Sequence, residues 1–488
     1  MSAQERLSEG DRLFFERVTR CAFTNPFGDE RQDADRDAAG LSAGEWDEAL
    51  ERLLAELDRR LVTLAGTRPV ADRNRFRKED ADLVTTGILF HLFHRNMGRL
   101  DDLIRRQLDD ADASCEADAA MEIFHALLSH GLGHDEAEQY VAIFYQLRRA
   151  FYFIANGLTG GSPCMTQLRK RLWDNIFTHD IRWYVRGFWN RMEDFSTLLL
   201  GETGTGKGAA AFALGRSGFI PFSSRQRHFT ESFTRAFVPI NLSQYPEALI
   251  ESELFGHRKG AFTGAVERHD GVFARCSPHG AIFLDEIGDA REPVQIKLLQ
   301  VLQQRTFSPV GSHESLRFEG RVIAATNKDL HALRREGRFR DDFFYRLCSD
   351  QIALPPLRQR LRETPSEMER LVAHILKRLS GNADGGILDH VLTALERGVG
   401  RGYDWPGNVR ELEQAVRCVL LTGRYGGDTG TRGGDAAWRE ALEHGDLTAK
   451  ELTVAYCREL YRRHGRYEEV ARRTGLDWRT VKKHVESD

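Results

Sequence analysis

The segment GETGTGKG, at residues 201–208, constrains the fold more than any other part of this chain. A short apolar run, Thr197–Leu200, precedes it, and a helical pattern begins near Lys207. Glycines here let backbone N–H groups close around phosphate oxygens, and the positive end of the following helix attracts the same charge. A G-x-x-x-x-G-K pattern between a strand and a helix therefore predicts a nucleotide-binding loop in an α/β domain.

An acidic pair ends a second apolar run, AIFLDE, at residues 281–286. We expect Lys207 to reach the phosphates, Asp285 to hold Mg²⁺ and Glu286 to activate the attacking water. A solvated acidic pair at a strand end is the alternative, but the separation from Lys207 favours a catalytic pair. The two motifs predict ATP binding and hydrolysis. The usual Ser or Thr after the lysine is Gly208, so Mg²⁺ is expected to depend on Asp285, phosphate oxygens and water.

A third segment, ELFGHRKGAFTGA, lies between these motifs at residues 253–265. Its glycines keep the backbone mobile, and one aromatic and one hydroxyl side chain are expected to protrude. We predict an exposed loop in which Gly260 and Gly264 are hinges and Phe262 and Thr263 make contacts. The alternative is a β-turn whose Phe262 folds back onto the domain.

The hydrophobic pattern of the sequence divides the chain into regions. Residues 1–158 show amphipathic helical patterns, with a capping-box spacing at Ser42–Glu45. Five short apolar runs then alternate with helical patterns, which predicts a parallel α/β sheet: Thr197–Leu200, Phe237–Asn241, Ala281–Leu284, Arg321–Thr326 and Gln351–Leu354. The predicted domains are a helical regulatory domain at 1–158, an α/β ATPase subdomain at 159–355, a helical lid at 356–422, a glycine-rich linker at 423–446 and a helix-turn-helix at 447–488.

Together these motifs resemble the bacterial enhancer-binding proteins, the AAA+ ATPases that open promoters held by sigma-54 RNA polymerase. The resemblance runs from about Gly161 to about Leu421 and implies an AAA+ parallel-sheet core with a helical lid. It further implies a ring, commonly a hexamer, with sigma-54 and RNA polymerase as partners and upstream double-stranded DNA as the binding site. Such an activator would work in the cytoplasm.

The resemblance also implies roles for single residues. Asn241 matches the asparagine that restrains the catalytic glutamate, and Asn327 matches the one that reads the γ-phosphate. Arg340 and Arg346 match arginines offered across a subunit boundary, and Arg410 matches the arginine that couples the lid to nucleotide. The expected catalytic residues are Glu286, Asp285, Arg340, Arg346, Asn241 and Asn327. The expected nucleotide contacts are Gly201, Glu202, Thr203, Gly204, Thr205, Gly206, Lys207, Gly208 and Arg410. The expected sigma-54 contacts are Gly260, Ala261, Phe262, Thr263, Gly264 and Ala265.

Two other functions stay open at this point. A AAA+ enzyme that remodels a different protein would not need Phe262 for its true partner. A non-enzymatic repressor could retain the fold while Gly208 has removed hydrolysis; it would bind DNA without turnover.

The last forty residues resemble a factor-for-inversion-stimulation-type helix-turn-helix. The expected support helix is Tyr467–Thr474, followed by a turn at Gly475 and a recognition helix capped by Asp477. Residues 450–488 hold ten Lys or Arg and seven Asp or Glu, a local balance of +3. A helical hairpin used for dimerisation is the alternative. The expected DNA contacts are Trp478, Arg479, Thr480, Lys482 and Lys483.

Bulk composition excludes some classes and leaves the N-terminal region unassigned. No apolar run approaches membrane-spanning length, no signal-peptide pattern is seen, and seven scattered cysteines suit a reducing compartment. His91 and His94 raise a metal hypothesis, but no cysteine or carboxylate completes a site. The region is expected to respond to an unknown signal. Two segments, 161–201 and 207–241, are longer than in the resembling family and are either decoration or a docking surface for the N-terminal region.

Overall fold

The computed structural model describes residues 4–41, 46–110, 118–381, 384–400, 402–427 and 447–486. The predicted capping box at 42–45 and most of the predicted linker at 423–446 lie outside these residues. The chain divides into two compact units, Met1–Ala383 with Asp404–Glu413 and Asp384–Tyr403 with Gln414–Asp488. In the described part of the chain, no helix is both long and apolar enough to cross a membrane.

The part of the first unit that precedes the central sheet in the chain is helical. They are α1 Glu9–Phe23, α2 Asp29–Ala39, α3 Trp46–Ala65, α4 Lys78–Asp109, α5 Asp118–Ser129, α6 His134–Gly157, α7 Pro163–Phe177 and the short α8 Ile181–Trp183. Most of them carry acidic residues in the first turn, where the positive end of the helix dipole favours them, as Glu79 and Asp80 do in α4 and Asp135 and Glu136 in α6.

A five-stranded parallel sheet forms the centre of the first unit. Its strands are β1 Thr197–Leu200, β4 Phe237–Asn241, β5 Ala281–Asp285, β8 Arg321–Thr326 and β9 Asp350–Ala353, in the spatial order β4-β5-β8-β1-β9. Two small antiparallel pairs flank it, β2 Phe222–Ser223 with β3 His228–Phe229 and β6 Thr306–Phe307 with β7 Leu316–Arg317. In register, Asn241 lies beside Asp285 and Leu200 beside Thr326. The carboxyl ends of neighbouring strands therefore meet at one edge, where ligands bind in sheets of this kind.

Helices connect and follow the strands, as an AAA+ core requires. They are α9 Lys207–Gly215, α10 Glu247–Phe255, α11 Val272–Arg275, α12 Glu292–Gln304, α13 Leu330–Arg335, α14 Asp341–Leu347, α15 Leu357–Glu363, α16 Glu367–Ser380, α17 Gly385–Val399 and α18 Asn408–Thr422. The predicted strand positions and the predicted α/β class agree with this sheet.

Two hydrophobic clusters pack the N-terminal helices. The first joins α1, α2 and α3 to the beginning of α4, through residues such as Phe15, Leu57 and Ile88. The second contains Ile104 of α4 and continues through α5, α6 and α7 into the sheet, where it includes Phe283. The predicted domain boundary at residue 158 therefore runs through one continuous core, because the aromatic faces of α6 and α7 are buried against the sheet and its helices.

The longer segment between α9 and β4 packs on α6. The rings of Phe229 and Phe233 lie 4.3 Å and 5.3 Å from those of Tyr145 and Phe153, centroid to centroid. The Ser224 N–H also donates a hydrogen bond of 2.7 Å to Glu138 Oε1. Of the two interpretations of this insertion, the structure supports a docking surface for the N-terminal helices.

Three short helices end the second unit, α19 Ala449–His464, α20 Tyr467–Thr474 and α21 Trp478–Glu486. Their common core contains Cys457, Leu460, Val470 and Val481. Gly475 takes a φ of 73° between α20 and α21, a left-handed conformation that glycine adopts without strain.

Candidate nucleotide site and exposed loop

The glycine-rich loop turns from β1 into α9 in a shape that only glycine tolerates. Gly204 and Gly206 have φ values of 80° and 102°. A Cβ on Gly204 would lie 2.2 Å from the carbonyl oxygen of Gly407, so a side chain is excluded by space as well as by backbone conformation. The Thr205 hydroxyl donates a 2.8 Å hydrogen bond to the Glu202 carbonyl and fixes the turn from within.

Lys207 opens α9, and its ammonium group lies under the loop. Its Nζ donates hydrogen bonds of 2.8 Å to the Gly201 carbonyl and 3.2 Å to the Glu202 carbonyl. Burial lowers the pKa of Lys207, and the carboxylates of Glu286 and Asp285 partly oppose that effect. A buried ammonium group that hydrogen-bonds to neutral carbonyl groups, with carboxylates nearby, is suited to an anionic ligand, which the phosphates of a nucleotide provide.

The acidic pair sits at the end of β5 in an unusual backbone conformation. Glu286 has a φ of 55°, and its N–H donates a 3.0 Å hydrogen bond to Asp285 Oδ1. Glu286 Oε2 is buried and has no hydrogen-bond partner among the residues that the structure describes. Strain and an unpartnered buried oxygen at one residue are typical of a functional site, and a bound water can supply the missing partner.

Asn241 contacts a different member of the acidic pair from the one expected. Its Nδ2 lies 3.4 Å from Asp285 Oδ2, and its Oδ1 accepts a hydrogen bond from the Ser243 N–H. The reason is register, because Asn241 is directly opposite Asp285 in the parallel pair of β4 and β5. Within the described part of the chain the Asn241 amide thus contacts Asp285, and its expected role in restraining Glu286 stays a prediction.

Asn327 follows β8 and faces the loop. Its Nδ2 donates a 2.9 Å hydrogen bond to Thr203 Oγ1. The β1–β8 pairing brings Leu200 and Thr326 side by side, so the two strand ends present the loop and this amide together. The amide therefore lies within reach of a ligand on the loop.

Glu202 is held by two residues that the sequence motifs did not single out. Arg358 at the start of α15 donates two hydrogen bonds to its carboxylate, at 2.6 Å and 2.8 Å. Asn408 Nδ2 lies 3.2 Å from the same carboxylate. The Arg358 guanidinium keeps the pKa of Glu202 below its usual value. The only sequence signal for Asn408 was its place after Pro406 and Gly407, where a turn is favoured.

These groups surround a cavity of about 320 Å³. Its lining includes Lys207, Asp285, Glu286 and Arg410, in addition to the backbone of the glycine-rich loop. As the described residues form it, the lining contains neither Arg340 nor Arg346. Arg340 instead pairs with Glu292 and Asp342 at 2.9 Å and 2.8 Å, and Arg346 Nε donates to the Leu302 carbonyl at 2.9 Å.

The loop at residues 253–265 leaves the end of α10 and forms a tight, hydrogen-bonded turn. The Gly260 N–H donates to the Ala265 carbonyl at 2.8 Å, and Gly264 has a φ of 102°. Thr263 is exposed, as expected. Phe262 is half-buried, with its ring centroid 4.9 Å from that of His257, so the expectation of a fully protruding aromatic is corrected.

The base of this loop is tied to two other segments. The His257 N–H donates to the His269 carbonyl at 2.9 Å, and the Arg258 N–H donates to the Val310 carbonyl at 3.1 Å. A Cβ on Gly311 would lie 2.8 Å from the Ala261 Cβ. The loop therefore rests on the connection between β6 and β7.

Comparison with known proteins agrees with this geometry. The family model described as the sigma-54 interaction domain matches residues 189–353. Residues 189–353 of this chain therefore match a sigma-54 interaction domain, in a region that is shared with the regulators AtoC and NtrC.

Relatives of this domain share about two-fifths of its residues. The regulatory protein AtoC of Escherichia coli is 41% identical over 46% of this chain and 45% of its own length. The transcriptional regulatory protein ZraR of Klebsiella oxytoca is 38% identical over 59% and 62%, and the regulator NtrC of Azospirillum brasilense is 43% identical over 46% and 42%. The chain thus spans about half the length of these relatives. A crystal structure of NtrX from Brucella abortus in complex with ADP covers 75% of this chain and 80% of its own, with 21% identity and a TM-score of 0.41.

The sigma-54 interaction domain also has room for a divalent cation beside its acidic pair. Asp285 supplies a carboxylate oxygen of the hard kind that Mg²⁺ prefers. Gly208 supplies none, and a Cβ built there meets no atom within 4 Å. The donor set therefore fits a cation held by one carboxylate, substrate oxygens and water. Among the described residues, no group of three or more His, Cys, Asp or Glu could hold a metal ion by itself.

The candidate DNA-contacting residues lie on α21, outside the sigma-54 interaction domain. Asp477 Oδ1 accepts a 2.9 Å hydrogen bond from the Arg479 N–H and caps the helix, as predicted. The side chains expected to contact DNA are all exposed, and they are Trp478, Arg479, Thr480, Lys482 and Lys483. Val481 on the opposite face is buried in the helix core. This amphipathic arrangement leaves the basic face available for a partner.

Proposed function

We propose that this chain is an ATP-dependent transcriptional activator. It binds upstream double-stranded DNA through its C-terminal helices and uses ATP hydrolysis to convert sigma-54 RNA polymerase closed complexes into open ones. The observation that carries this proposal is the meeting of Lys207, Asp285, Glu286 and Asn327 at one sheet edge within a sigma-54 interaction domain. Because its partners are chromosomal DNA and polymerase, we place it in the cytoplasm.

Hydrolysis is assigned to the groups at the end of β5. Glu286 has a buried oxygen to which no described residue hydrogen-bonds, which suits it to accept a proton from the attacking water. Lys207 is a buried donor for the negative charge that develops on the phosphates. Mg²⁺, when bound through Asp285, supplies further neutralisation of that charge. Sensing of the γ-phosphate is assigned to Asn327 and Arg410, because Asn327 hydrogen-bonds to the loop and Arg410 lines the cavity.

A ring is proposed because the expected arginines are missing from the cavity of their own chain. Arg340 and Arg346 lie in or beside α14, and neither lines the cavity that the described residues form. A guanidinium from a neighbouring subunit can supply the same transition-state stabilisation in trans. A hexamer is the ring that the family resemblance implies.

The exposed loop is assigned to sigma-54. Thr263 is exposed, and Phe262 leans on His257 with part of its ring still accessible. A half-buried aromatic on a glycine-hinged turn can move outward to anchor a partner, since Gly260 and Gly264 take φ values of 78° and 102° that glycine adopts without strain.

The deciding experiment is ATP-dependent open-complex formation on a sigma-54 promoter with the full chain. Phe262→Ala is compared with Phe188→Ala, a control aromatic that is 38% exposed outside the loop. We expect the parent and the control to open the promoter, and Phe262→Ala to hydrolyse ATP without opening it. ATPase without opening in the parent would favour another remodelling target. DNA binding with neither activity would favour the repressor that Gly208 suggests.

A further inference from the structure

A second cavity of about 320 Å³ lies among the N-terminal helices, far along the chain from the nucleotide loop. It is bounded by the end of α1, the middle of α4, one face of α6, and α7. Most of its wall is apolar. Six Phe or Trp rings face it: Phe23, Phe90, Phe93, Phe144, Phe151 and Trp173. A preformed apolar pocket of this size is typical of a small-molecule site.

The cavity lies between the two hydrophobic clusters of the N-terminal helices. Phe90 belongs to the cluster of α1, α2 and α3, whereas Phe144 and Trp173 belong to the cluster that continues into the sheet. Close packing is the rule within protein cores, so an open space at this junction is unusual. A molecule that filled it would join the two clusters.

The polar groups of the wall carry no uncompensated charge. Arg31 Nε donates to both carboxylate oxygens of Asp35, at 2.8 Å and 2.9 Å, and Arg148 Nη2 donates to Asp101 at 2.7 Å. Neither aspartate lines the cavity. Guanidinium groups keep several N–H donors, so a ligand would meet hydrogen-bond donors in an otherwise apolar wall.

His94 is a neutral acceptor in this wall. Its Nδ1 lies 2.8 Å from the Phe90 carbonyl and must therefore donate, which leaves Nε2 to accept from Arg31 Nη2 at 3.4 Å. Burial and the neighbouring Arg31 lower the pKa of His94 to about 3, in keeping with a neutral ring. The imidazole thus orients the Arg31 guanidinium. It carries no charge of its own that would attract an acidic ligand.

The helix that forms one wall also supports the nucleotide loop. Ile143, Leu147 and Phe151 of α6 face the cavity. On another side of the same helix, the buried Arg149 donates hydrogen bonds of 2.7 Å to the carbonyls of Arg216 and Gly218.

Those carbonyls follow directly after α9, the helix that begins with Lys207. A cation at the carboxyl end of a helix stabilises the helix dipole, so Arg149 holds α9 from the end opposite the phosphates. The Gln146 amide adds a 2.9 Å hydrogen bond to the Ser217 carbonyl. A shift of α6 would therefore be transmitted to the nucleotide loop through α9.

We propose that this cavity is an effector site. It takes a small, mainly apolar molecule that carries one hydrogen-bond-accepting head group, and its occupancy alters nucleotide binding through α6. The coupling rests on the proposed nucleotide site, whereas the binding itself does not.

The probes are two dyes that differ only in the head group, 1-anilinonaphthalene-8-sulfonate and N-phenyl-1-naphthylamine. Each is titrated into the full chain, and its fluorescence is followed. We expect saturable binding at one site, with the sulfonate dye bound more tightly. Leu89→Trp, which fills the cavity from α4, should weaken binding at least tenfold, whereas Leu13→Trp on the exposed surface of α1 should leave it unchanged.

Circular dichroism and thermal unfolding establish that both variants are folded; should Leu89→Trp unfold, Ile181→Trp in another part of the wall takes its place. Equal dye binding by the parent and the filled variant, or no saturable binding, would overturn the site. Coupling is read as the affinity for a fluorescent ADP analogue, which requires no hydrolysis. We expect the sulfonate dye to change that affinity at least twofold in the parent and in Leu13→Trp only. Saturable dye binding with an unchanged ADP affinity would overturn the role of α6.

Discussion

The side-chain amide of Asn408 donates a 3.0 Å hydrogen bond to the carbonyl of Thr203, in the middle of the glycine-rich loop. Its Oδ1 accepts a 2.7 Å hydrogen bond from the Leu357 N–H, at the start of α15. Asn408 is fully buried and has a φ of 53°. Asparagine is one of the few residues with a side chain that tolerates this conformation. One side chain therefore fixes the loop relative to α15.

Replacing Asn408 should weaken both the stability of the protein and its affinity for nucleotide. Asn408→Ala loses these hydrogen bonds and strains the backbone, so we expect it to lose about 2–4 kcal/mol of stability. Asn408→Asp keeps the acceptor for Leu357 and tolerates the same φ, but its second oxygen replaces the donor to Thr203 and faces the Glu202 carboxylate, from which Nδ2 lies 3.2 Å. We expect this buried like-charge contact to destabilise the aspartate variant as well, and the variant to bind ADP several-fold more weakly. Equal ADP affinity in the aspartate variant and the parent would count against this role.

Glu286→Gln should abolish hydrolysis and leave binding intact. The amide keeps the size of the side chain but cannot accept the proton of the attacking water, and general-base catalysis contributes about 10²–10⁴-fold. We expect the ATPase rate to fall by that factor while the affinity for ATP changes less than threefold. Undiminished hydrolysis would assign the general base to another residue.

Mixing two inactive variants tests whether Arg340 acts between subunits. Arg340→Ala retains an intact Glu286, and Glu286→Gln retains an intact Arg340. In a mixed ring, the arginine of one variant can serve the complete acidic pair of the other. We therefore expect each variant to be nearly inactive alone and the mixture to regain ATPase activity. No recovery, with mixed oligomers shown by mass measurement, would indicate that Arg340 acts in its own subunit or not at all.

Gly208 offers a gain-of-function test. A Cβ there meets no atom within 4 Å, so Gly208→Thr can place a hydroxyl beside the proposed cation. We expect the threonine variant to need less Mg²⁺ for half-maximal ATPase. Gly208→Ala is the control: it should stabilise α9 by about 0.5–1 kcal/mol without changing the Mg²⁺ requirement. If alanine lowered the requirement equally, helix stability would explain the effect.

Acid should destabilise the protein through His94. Burial lowers its pKa from 6.5 to about 3, so the unfolded chain takes up a proton on falling below pH 6.5 while the folded chain does not. Stability contributed by the neutral ring is present above pH 6.5 and is lost as the pH falls toward 3, by up to about 1.4 kcal/mol per unit. His94→Gln should flatten the dependence of the urea midpoint on pH between 6.5 and 4.5. An unchanged slope would contradict the assignment.

The strands and the nucleotide loop were predictable because each depends on local sequence. The apolar runs that gave β1, β4, β5, β8 and β9 are short, buried and bounded by turn residues. The glycines of the loop are required by backbone conformation, which a sequence expresses directly. Asp285 and Lys207 could be paired in advance because carboxyl ends of parallel strands share an edge.

Contacts between distant segments were not predictable in the same way. Arg358 and Asn408 lie 156 and 206 residues along the chain from Glu202, and no spacing rule predicts a contact over such a separation. The register that sets Asn241 beside Asp285 depends on which strands neighbour each other. The Phe262 ring packs against the ring of His257, five residues earlier in the chain. Composition alone does not predict whether an aromatic side chain in a loop packs in this way or protrudes.

The 32-residue helix α4 contributes Ile88 to one hydrophobic cluster and Ile104 to the other. The N-terminal helices are therefore not a separable unit. Cutting the chain after residue 158 would remove α6 from the α/β sheet and its helices. The aromatic rings that α6 covers would then be exposed. A chimera that replaces the N-terminal helices can be joined inside α4, between the part that packs in the first cluster and the part that packs in the second. Otherwise it has to keep α5, α6 and α7 together with the α/β sheet.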